Sequence, residues 1–258
     1  MPPHTPPLHT LDPLRRFSDR AQDYARYRPS YPEAAIAAIL TDLGDPQHLT
    51  VADIGAGTGI SSRLLGDRGA RVIAIEPNAA MAEAAESYPQ VTFQVGTAEQ
   101  TGLASESVQV VTCCQSFHWF HAPPAVAEFS RILQPGGRLA LLWNDWELND
   151  PGTDAYRQII QAVATRQIRH HDHTHSLGEV AAHPCFTPME HLSFTYSQRL
   201  TLPEVVGRSL SSSYMPKAGD GYEQFLDAIT AWHQTWAATD GPATLTYVTN
   251  LYLSKKLA

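Results

Sequence analysis

Apolar and polar positions follow two different periods along the first half of the chain. Short apolar runs with strand character predict five β-strands, at residues 49–54, 71–75, 91–95, 108–114 and 138–143. Between them apolar residues recur at helical spacing, which predicts helices that begin at Pro32 and Ile60 and helices over residues 79–87 and 124–133. Strands that alternate with helices through short connections indicate a parallel sheet with helices on both faces.

The pattern is less regular after the fifth strand. It predicts a helix over residues 153–168 and two alternating, strand-like segments at residues 191–200 and 244–253. With these two strands the predicted fold is an α/β, doubly wound, mostly parallel sheet of seven strands. Residues 201–240 lie between the two late strands and include a predicted helix over 222–236. We expect this stretch to fold over the sheet as a helical lid.

The domain organisation follows from the same pattern. Residues 1–14 are rich in proline and are expected to form a flexible tail. Residues 15–258 are expected to form a single domain. Within it, residues 15–45 mix aromatic side chains and arginines in a way that indicates a covering segment.

Composition narrows the classes of partner. The net charge is −8 and the lysines are Lys217, Lys255 and Lys256, so no basic stripe is available for tight binding of nucleic acid. No apolar stretch approaches the roughly 20 residues that span a bilayer. Cys113 and Cys114 are adjacent in an apolar run, which is typical of a reducing compartment. We therefore expect a cytoplasmic protein with a small-molecule partner, no nucleic acid and no membrane, and the oligomeric state stays open.

The first predicted strand ends in three alternating glycines. Gly55, Gly57 and Gly59 form a G-x-G-x-G turn, whereas the dinucleotide fingerprint needs glycine where this chain has Ile60. The phosphate-binding Gly-Lys-Ser/Thr pattern is also missing from this turn. Asp53, just before the turn, repels a pyrophosphate but attracts an ammonium group. The turn therefore favours a small ligand other than a dinucleotide.

An acid follows the second strand. Glu76 lies about 20 residues after the first glycine, the spacing at which a carboxylate accepts hydrogen bonds from ribose hydroxyls. The alternative role is a helix N-terminal acid stabilised by the helix dipole. After the third strand, Ala98 and Glu99 form a small-acidic loop that suits the edge of an adenine.

These motifs together resemble those of class I S-adenosylmethionine-dependent methyltransferases, which have a Rossmann-like fold. The resemblance covers roughly residues 15–145. The opening segment, residues 20–32, is similar to the type 11 branch of small-molecule methyltransferases, and Phe117-His-Trp-Phe120 resembles a segment of trans-aconitate methyltransferase-like proteins. The motifs that carry the resemblance are Asp53-Ile-Gly-Ala-Gly-Thr-Gly59, Ile75-Glu-Pro77, Ala98-Glu99 and Leu133-Gln-Pro-Gly-Gly-Arg138.

The resemblance implies S-adenosyl-L-methionine as the cofactor and assigns roles to individual residues. Asp53 would lie near the methionine ammonium, Glu76 would hold the ribose hydroxyls, and Pro77 with Met81 would pack on adenine. The cofactor-binding residues implied are Asp53, Gly55, Ala56, Gly57, Thr58, Gly59, Glu76, Pro77, Met81, Thr97, Ala98, Glu99, Gln115 and Ser116.

The candidates for acceptor chemistry lie in two other segments. His118 is the candidate general base if the acceptor is a hydroxyl or an amine, and the alternative is a structural histidine beside Trp119. Arg28 is suited to clamp a carboxylate of the cofactor or of the acceptor, and the alternative is a solvated arginine. The expected acceptor-binding residues are Tyr24, Arg28, Phe117, Trp119 and Tyr214.

One histidine-rich run suggests metal binding but lacks a second cluster. His170, His171, His173 and His175 lie in a polar stretch, so we expect a solvated loop and no metal site.

Three functions are consistent with these features. The first is methyl transfer from S-adenosylmethionine to a small-molecule acceptor, with a carboxylate among the candidates, by in-line displacement. The second keeps the cofactor but has no catalysis and describes a sensor or interaction module. The third, disfavoured by Ile60, is an NAD-dependent oxidoreductase.

Overall fold

A seven-stranded sheet organises the chain, as the sequence predicts. A computed structural model describes residues 21–165, 173–239 and 241–258. The strand order is β3-β2-β1-β4-β5-β7-β6, in which β1 to β5 are parallel and β7 runs antiparallel between β5 and β6. The strands are β1 Thr50–Ile54, β2 Arg71–Ile75, β3 Val91–Gln94, β4 Val108–Cys114, β5 Leu133–Trp146, β6 Glu190–Leu200 and β7 Ala243–Lys255.

The strand order reverses between β1 and β4, which are neighbours in the sheet but not in sequence. The carboxyl ends of the strands at such a reversal leave a crevice, because the helices that follow the two strands pack on opposite faces. This edge of the sheet is where a doubly wound fold binds its ligand.

Helices cover the sheet and its carboxyl edge. The described helices are α1 Ala21–Tyr27, α2 Glu33–Leu40, α3 Ile60–Asp67, α4 Ala79–Glu83, α5 Ala122–Ile132, α6 Pro151–Val163, α7 His173–Ala182, α8 Leu202–Leu210 and α9 Asp220–Trp236. Short 3-10 turns occur at Pro46–His48 and Phe117–Trp119.

Both faces of the sheet are buried, which explains why its strands read as nearly continuous apolar runs. In β4, Val111 and Cys113 face the cluster that includes Phe129 of α5, while Val110 and Cys114 face the cluster on the other side. A third cluster joins α6, α8 and α9 to the last two strands, through Tyr156, Val205, Ile229 and Tyr247 among others.

The structure corrects the predicted bounds of several elements. Helix α4 ends at Glu83 rather than residue 87, because the chain turns early to bring Tyr88 against Gly66 and Val91 into register with β2. Strand β5 begins at Leu133, which pairs with Val108, rather than at residue 138, and its pairing with β4 is irregular between Val108 and Val110.

Two further differences concern the region around the histidine run. Helix α6 ends at Val163, because Thr165 turns away and donates both its N–H and its hydroxyl to the carbonyl of Tyr214. The loop predicted over residues 169–175 is wrong from His173 onward, where α7 begins and places Val180 in the core. His170, His171 and the proline-rich tail lie outside the described residues.

Within the described part of the chain, no helix combines the length and apolar character that a membrane span requires.

Candidate functional site

A cavity of about 560 Å³ lies at the carboxyl ends of β1, β2 and β4. Its size is within the usual range of about 300–1,000 Å³ for small-molecule and cofactor sites. The expected cofactor and acceptor residues that line it are Tyr24, Gly55, Ala56, Gly57, Thr58, Glu76, Pro77, Met81, Thr97, Ala98, Glu99, Gln115, Ser116 and Trp119.

The glycine turn shapes one wall of the cavity. Gly55, Gly57 and Gly59 have φ values of 66°, 59° and 74°, in the left-handed region that other residues rarely adopt. A Cβ on Gly55 would lie 2.8 Å from the Cβ of Ser116, and one on Gly57 would lie 3.3 Å from Met81 Cε. Glycine is therefore required here both by conformation and by space, and the backbone is accessible to a ligand.

Glu76 is the acid that borders the cavity. Its Oε2 accepts the Gly57 N–H and its Oε1 accepts the Asn78 N–H, both at 2.8 Å. Burial raises the pKa of the Glu76 carboxyl, and these two donors offset the increase in part. Each oxygen keeps a lone pair for a ligand hydroxyl, because a carboxylate has about four acceptor positions.

Asp53 does not reach the cavity, which corrects its expected contact with an ammonium group. The side chain is fully buried, and its carboxylate accepts hydroxyl hydrogen bonds from Ser61 at 2.7 Å, Ser62 at 2.6 Å and Thr112 at 2.9 Å. Burial raises the pKa of Asp53, and the three hydroxyls lower it in part. Asp53 therefore joins the start of α3 to β1 and β4. It supports the glycine turn without lining the cavity.

Gly59 also lies outside the lining. It is the residue that precedes α3, and a Cβ there would lie 3.1 Å from the ring of Phe93. Its role is to let the helix begin close to β3.

The loop after β4 forms the opposite wall. Gln115 has a φ of 58°, unusual for a residue with a side chain, and it is held there by its N–H to Leu142 O and its side-chain amide to Asn144 O. Ser116 Oγ donates to Ile54 O at 2.6 Å and so joins this loop to the glycine turn.

The structure corrects the roles expected of Phe117 and His118. Phe117 is buried in the core against Phe120 and Phe129, and it lies outside the cavity lining. His118 is also outside the lining, and its Nδ1 accepts a hydrogen bond from Trp143 Nε1 at 3.1 Å. The structural alternative for His118 therefore fits the geometry better than the general base, whereas Trp119 does border the cavity.

The other acceptor candidates differ in whether they line the cavity. Tyr24 lines the cavity, but Arg28 and Tyr214 do not. Arg28 lies against one lining residue, since its Cζ is 4.7 Å from the centroid of the Tyr24 ring.

Several lining residues were not among the expected site residues. They are Tyr31, Ile60, Ser61, Asn78, Gly96, Cys114, Phe120 and His121. Tyr31 and Phe120 belong to segments that carry the resemblance, and the others lie close to a motif, so position within or near a motif is the signal that indicates them. Across residues 21–165, 173–239 and 241–258, no group of three or more His, Cys, Asp and Glu side chains is arranged to hold a metal ion.

Comparisons with known proteins agree with this geometry. The methyltransferase domain family matches residues 52–141. An uncharacterized methyltransferase of Mycobacterium tuberculosis is 39% identical over 129 residues, 50% of this chain and 51% of that protein. One from Schizosaccharomyces pombe is 31% identical over 149 residues, 57% and 59% of the two chains. The chain thus spans about half the length of these curated relatives.

Solved structures show the same fold over nearly the whole chain. A candidate type II methyltransferase from Anaeromyxobacter dehalogenans superposes with a TM-score of 0.65 at 23% identity, covering 90% of this chain and 99% of that one. A candidate methyltransferase from an antibiotic biosynthesis pathway of Anabaena variabilis gives 0.61 at 22% identity, covering 87% and 98%. Residues 52–141 thus match the methyltransferase domain family, and nearly the whole chain shares the fold of these two solved structures.

Proposed function

We propose that this protein transfers a methyl group from S-adenosylmethionine to a small-molecule acceptor. The observation that carries the proposal is the pairing of Glu76 with the glycine turn. Glu76 borders the cavity with acceptor capacity left for ribose hydroxyls, and Gly55 and Gly57 expose backbone beside it. Ala98, Glu99 and Met81 line the same cavity, and their small, acidic and apolar side chains suit the edge and the face of an adenine.

The cofactor supplies an activated methyl on a sulfonium, so the protein's task is to bind, align and exclude water. Gln115 and Ser116 are fixed by hydrogen bonds to β5 and β1, and they hold the wall of the cavity next to the glycine turn. In-line displacement suits such a rigid wall, because alignment of the attacking atom supplies much of the rate enhancement.

The acceptor side favours a substrate that is already nucleophilic. His118, the candidate base, lies outside the cavity and is hydrogen-bonded to Trp143. A carboxylate acceptor needs no base, because it is ionised at neutral pH. The net charge of −8 supports a small organic acceptor rather than nucleic acid, and the buried free thiols of Cys113 and Cys114 fit a cytoplasmic location.

The first test is cofactor binding. We expect S-adenosylhomocysteine to bind with micromolar affinity by titration calorimetry, and Glu76→Ala to weaken it about 10 to 100-fold, since the ribose hydrogen bonds are lost. Glu76→Gln keeps the side-chain volume and separates this loss from any disturbance of the turn. Glu86→Ala, at an exposed carboxylate, should bind as the wild type does.

The outcomes separate the three candidate functions. No binding of S-adenosylhomocysteine to the wild type would contradict the proposal, and stabilisation by NAD instead would favour the oxidoreductase. Tight binding without methyl transfer to any of a panel of acids, amines and phenols would favour the sensor.

A further inference from the structure

Two arginines, each with a buried guanidinium nitrogen, lie close together where the N-terminal segment meets α8. Arg208 is 5% exposed, and Arg28 follows α1 directly. Burial, and then the positive charge of Arg208, lower the pKa of Arg28. Two guanidinium groups stay charged even so, because arginine does not lose its proton in proteins.

The hydrogen bonds of this pair are incomplete. Arg28 Nη2 donates to Ser211 O and Ser212 Oγ at 3.3 Å, but its Nε is buried without a partner. Arg208 Nε donates to the Tyr247 hydroxyl at 3.3 Å, but its Nη1 is also buried without a partner. Among the ion pairs formed by described residues, neither arginine is paired with a carboxylate.

The other arginines of the chain show how unusual this is. Arg138, which is buried to a degree similar to Arg208, donates hydrogen bonds from its Nη1 to three backbone carbonyls at the end of α2, at 2.7–3.1 Å. Arg131 and Arg157 each pair with a carboxylate one turn away. Burying two uncompensated cations is costly, so a structural role alone does not account for the pair at Arg28 and Arg208.

The pair lies next to the cofactor cavity. The Arg28 guanidinium stacks on Tyr24, and Tyr24 also lines the cavity near Gly57. Tyr247, the partner of Arg208, pairs with Trp146 at the carboxyl end of β5, the same edge of the sheet that carries the glycine turn. Tyr24 therefore contacts both the cavity and the Arg28 guanidinium.

We propose that Arg28 and Arg208 form an anion subsite that binds an oxyanionic group, a carboxylate or a phosphate, of the methyl acceptor. The inference rests on the proposed methyltransferase function and narrows its substrate to an anion. Guanidinium forks match the oxygens of both groups. Because hydrogen bonds from a guanidinium lower the nucleophilicity of the oxygens that accept them, the bound oxyanion is the anchoring group and the methyl goes to a different atom of the acceptor.

The test uses the full chain saturated with S-adenosylhomocysteine and two probes, sodium succinate and sodium phosphate, against sodium chloride at equal ionic strength. We expect Tm to rise by about 3 °C at an anion concentration roughly tenfold above Kd. Arg208→Met should lose this increase and have an unchanged or higher Tm without anion, because a buried uncompensated charge is removed. A larger increase in Tm with succinate identifies a carboxylate as the group that the subsite binds. A larger increase with phosphate identifies a phosphate.

Two control variants exclude general salt effects, which stabilise proteins without specific binding. Arg199→Met makes the same change in charge at an exposed position and should keep the anion response. Arg138→Met should lower the baseline Tm and also keep the response. Should Arg208→Met not fold, Arg28→Gln removes the other guanidinium with the same expected loss of response.

Equal anion responses in the wild type and Arg208→Met, or no response in the wild type, would overturn the proposal. Its failure is separable from that of the proposed function. Neither arginine lines the cavity, so S-adenosylhomocysteine binding by Arg208→Met should match the wild type and reports on the cofactor site alone.

Discussion

At the scale of single residues, the site rests on two buried acids with different tasks. Glu76 keeps an edge toward the cavity, whereas Asp53 is enclosed by Ser61, Ser62 and Thr112. Both have a raised pKa, chiefly because burial disfavours the ionised form. The acid before the turn therefore supports the backbone, and the acid after β2 borders the cavity.

The raised pKa of Asp53 predicts a pH dependence of stability. A carboxyl whose pKa is higher in the folded state binds more protons there than in the unfolded chain, so stability falls as pH rises from the ordinary value of about 4 through the raised value. We expect the free energy of unfolding to fall less over this window in Asp53→Asn than in the wild type. Urea denaturation at a series of pH values measures the difference.

An acid with the opposite shift is the matched control. Arg157 and Gln158 lower the pKa of Asp154, so its contribution is lost as pH falls below about 4. Asp154→Asn should therefore reduce the loss of stability in acid. It should leave unchanged the fall in the free energy of unfolding that the Asp53 carboxyl causes as pH rises. Parallel pH curves for the wild type and Asp53→Asn would show that the buried carboxyl does not titrate differently on folding.

At the scale of elements, the approach of α1 to α8 is set by a glycine. A Cβ on Gly207 would lie 2.3 Å from Cε2 of Tyr27, a distance that no real Cβ contact tolerates. Because Tyr24 of the same helix α1 lines the cavity, this contact determines the position of one cavity wall.

Gly207→Ala separates helix propensity from packing. Alanine would favour the helix by about 1 kcal/mol, but the clash with Tyr27 should outweigh this and lower the free energy of unfolding by about 1–3 kcal/mol. Displacing α1 should also weaken S-adenosylhomocysteine binding through Tyr24. Denaturant titration and calorimetry measure the two effects.

Gly178→Ala in α7 is the control, since no described atom lies within 4 Å of the place that the added methyl would occupy. It should stabilise the protein by roughly 0.5–1 kcal/mol and leave cofactor binding unchanged. A Gly207→Ala variant as stable as Gly178→Ala would mean that α1 shifts freely against α8.

At the scale of the whole molecule, the sheet was predictable from local patterns, whereas the packing of the side chains after β4 was not. Local patterns define strands and turns, so the predicted sheet is confirmed, and Gly55, Gly57 and Glu76 line the cavity while Gly59 and Asp53 do not. The positions of Phe117 and His118 depend on how the loop after β4 packs against Phe129 and Trp143, residues distant in sequence. The Arg28–Arg208 pair joins positions 180 residues apart, which no local pattern indicates.

The distance of each element from the cavity predicts how strongly ligand binding stabilises it. Residues of α1 and of the glycine turn contact the cavity directly, whereas among described residues none after His121 lines it. Helix α8 is joined to the site through its packing on α1 and through the bonds from Arg28 to Ser211 and Ser212. Cofactor binding should therefore stabilise α1 and the glycine turn most and α8 less, and leave α9 unchanged.

Hydrogen exchange with and without S-adenosylhomocysteine measures this gradient. At a ligand concentration of about 100 times Kd, segments that open only in the free protein should exchange up to roughly 100-fold more slowly. We expect slowing of this order at residues 21–27 and 55–59, a smaller effect at residues 202–210, and none at residues 220–236, where α9 packs on α6. Equal slowing in α9 and α1 would mean that the helices over the sheet open as one unit. The whole helical layer, and not α1 alone, would then respond to the cofactor.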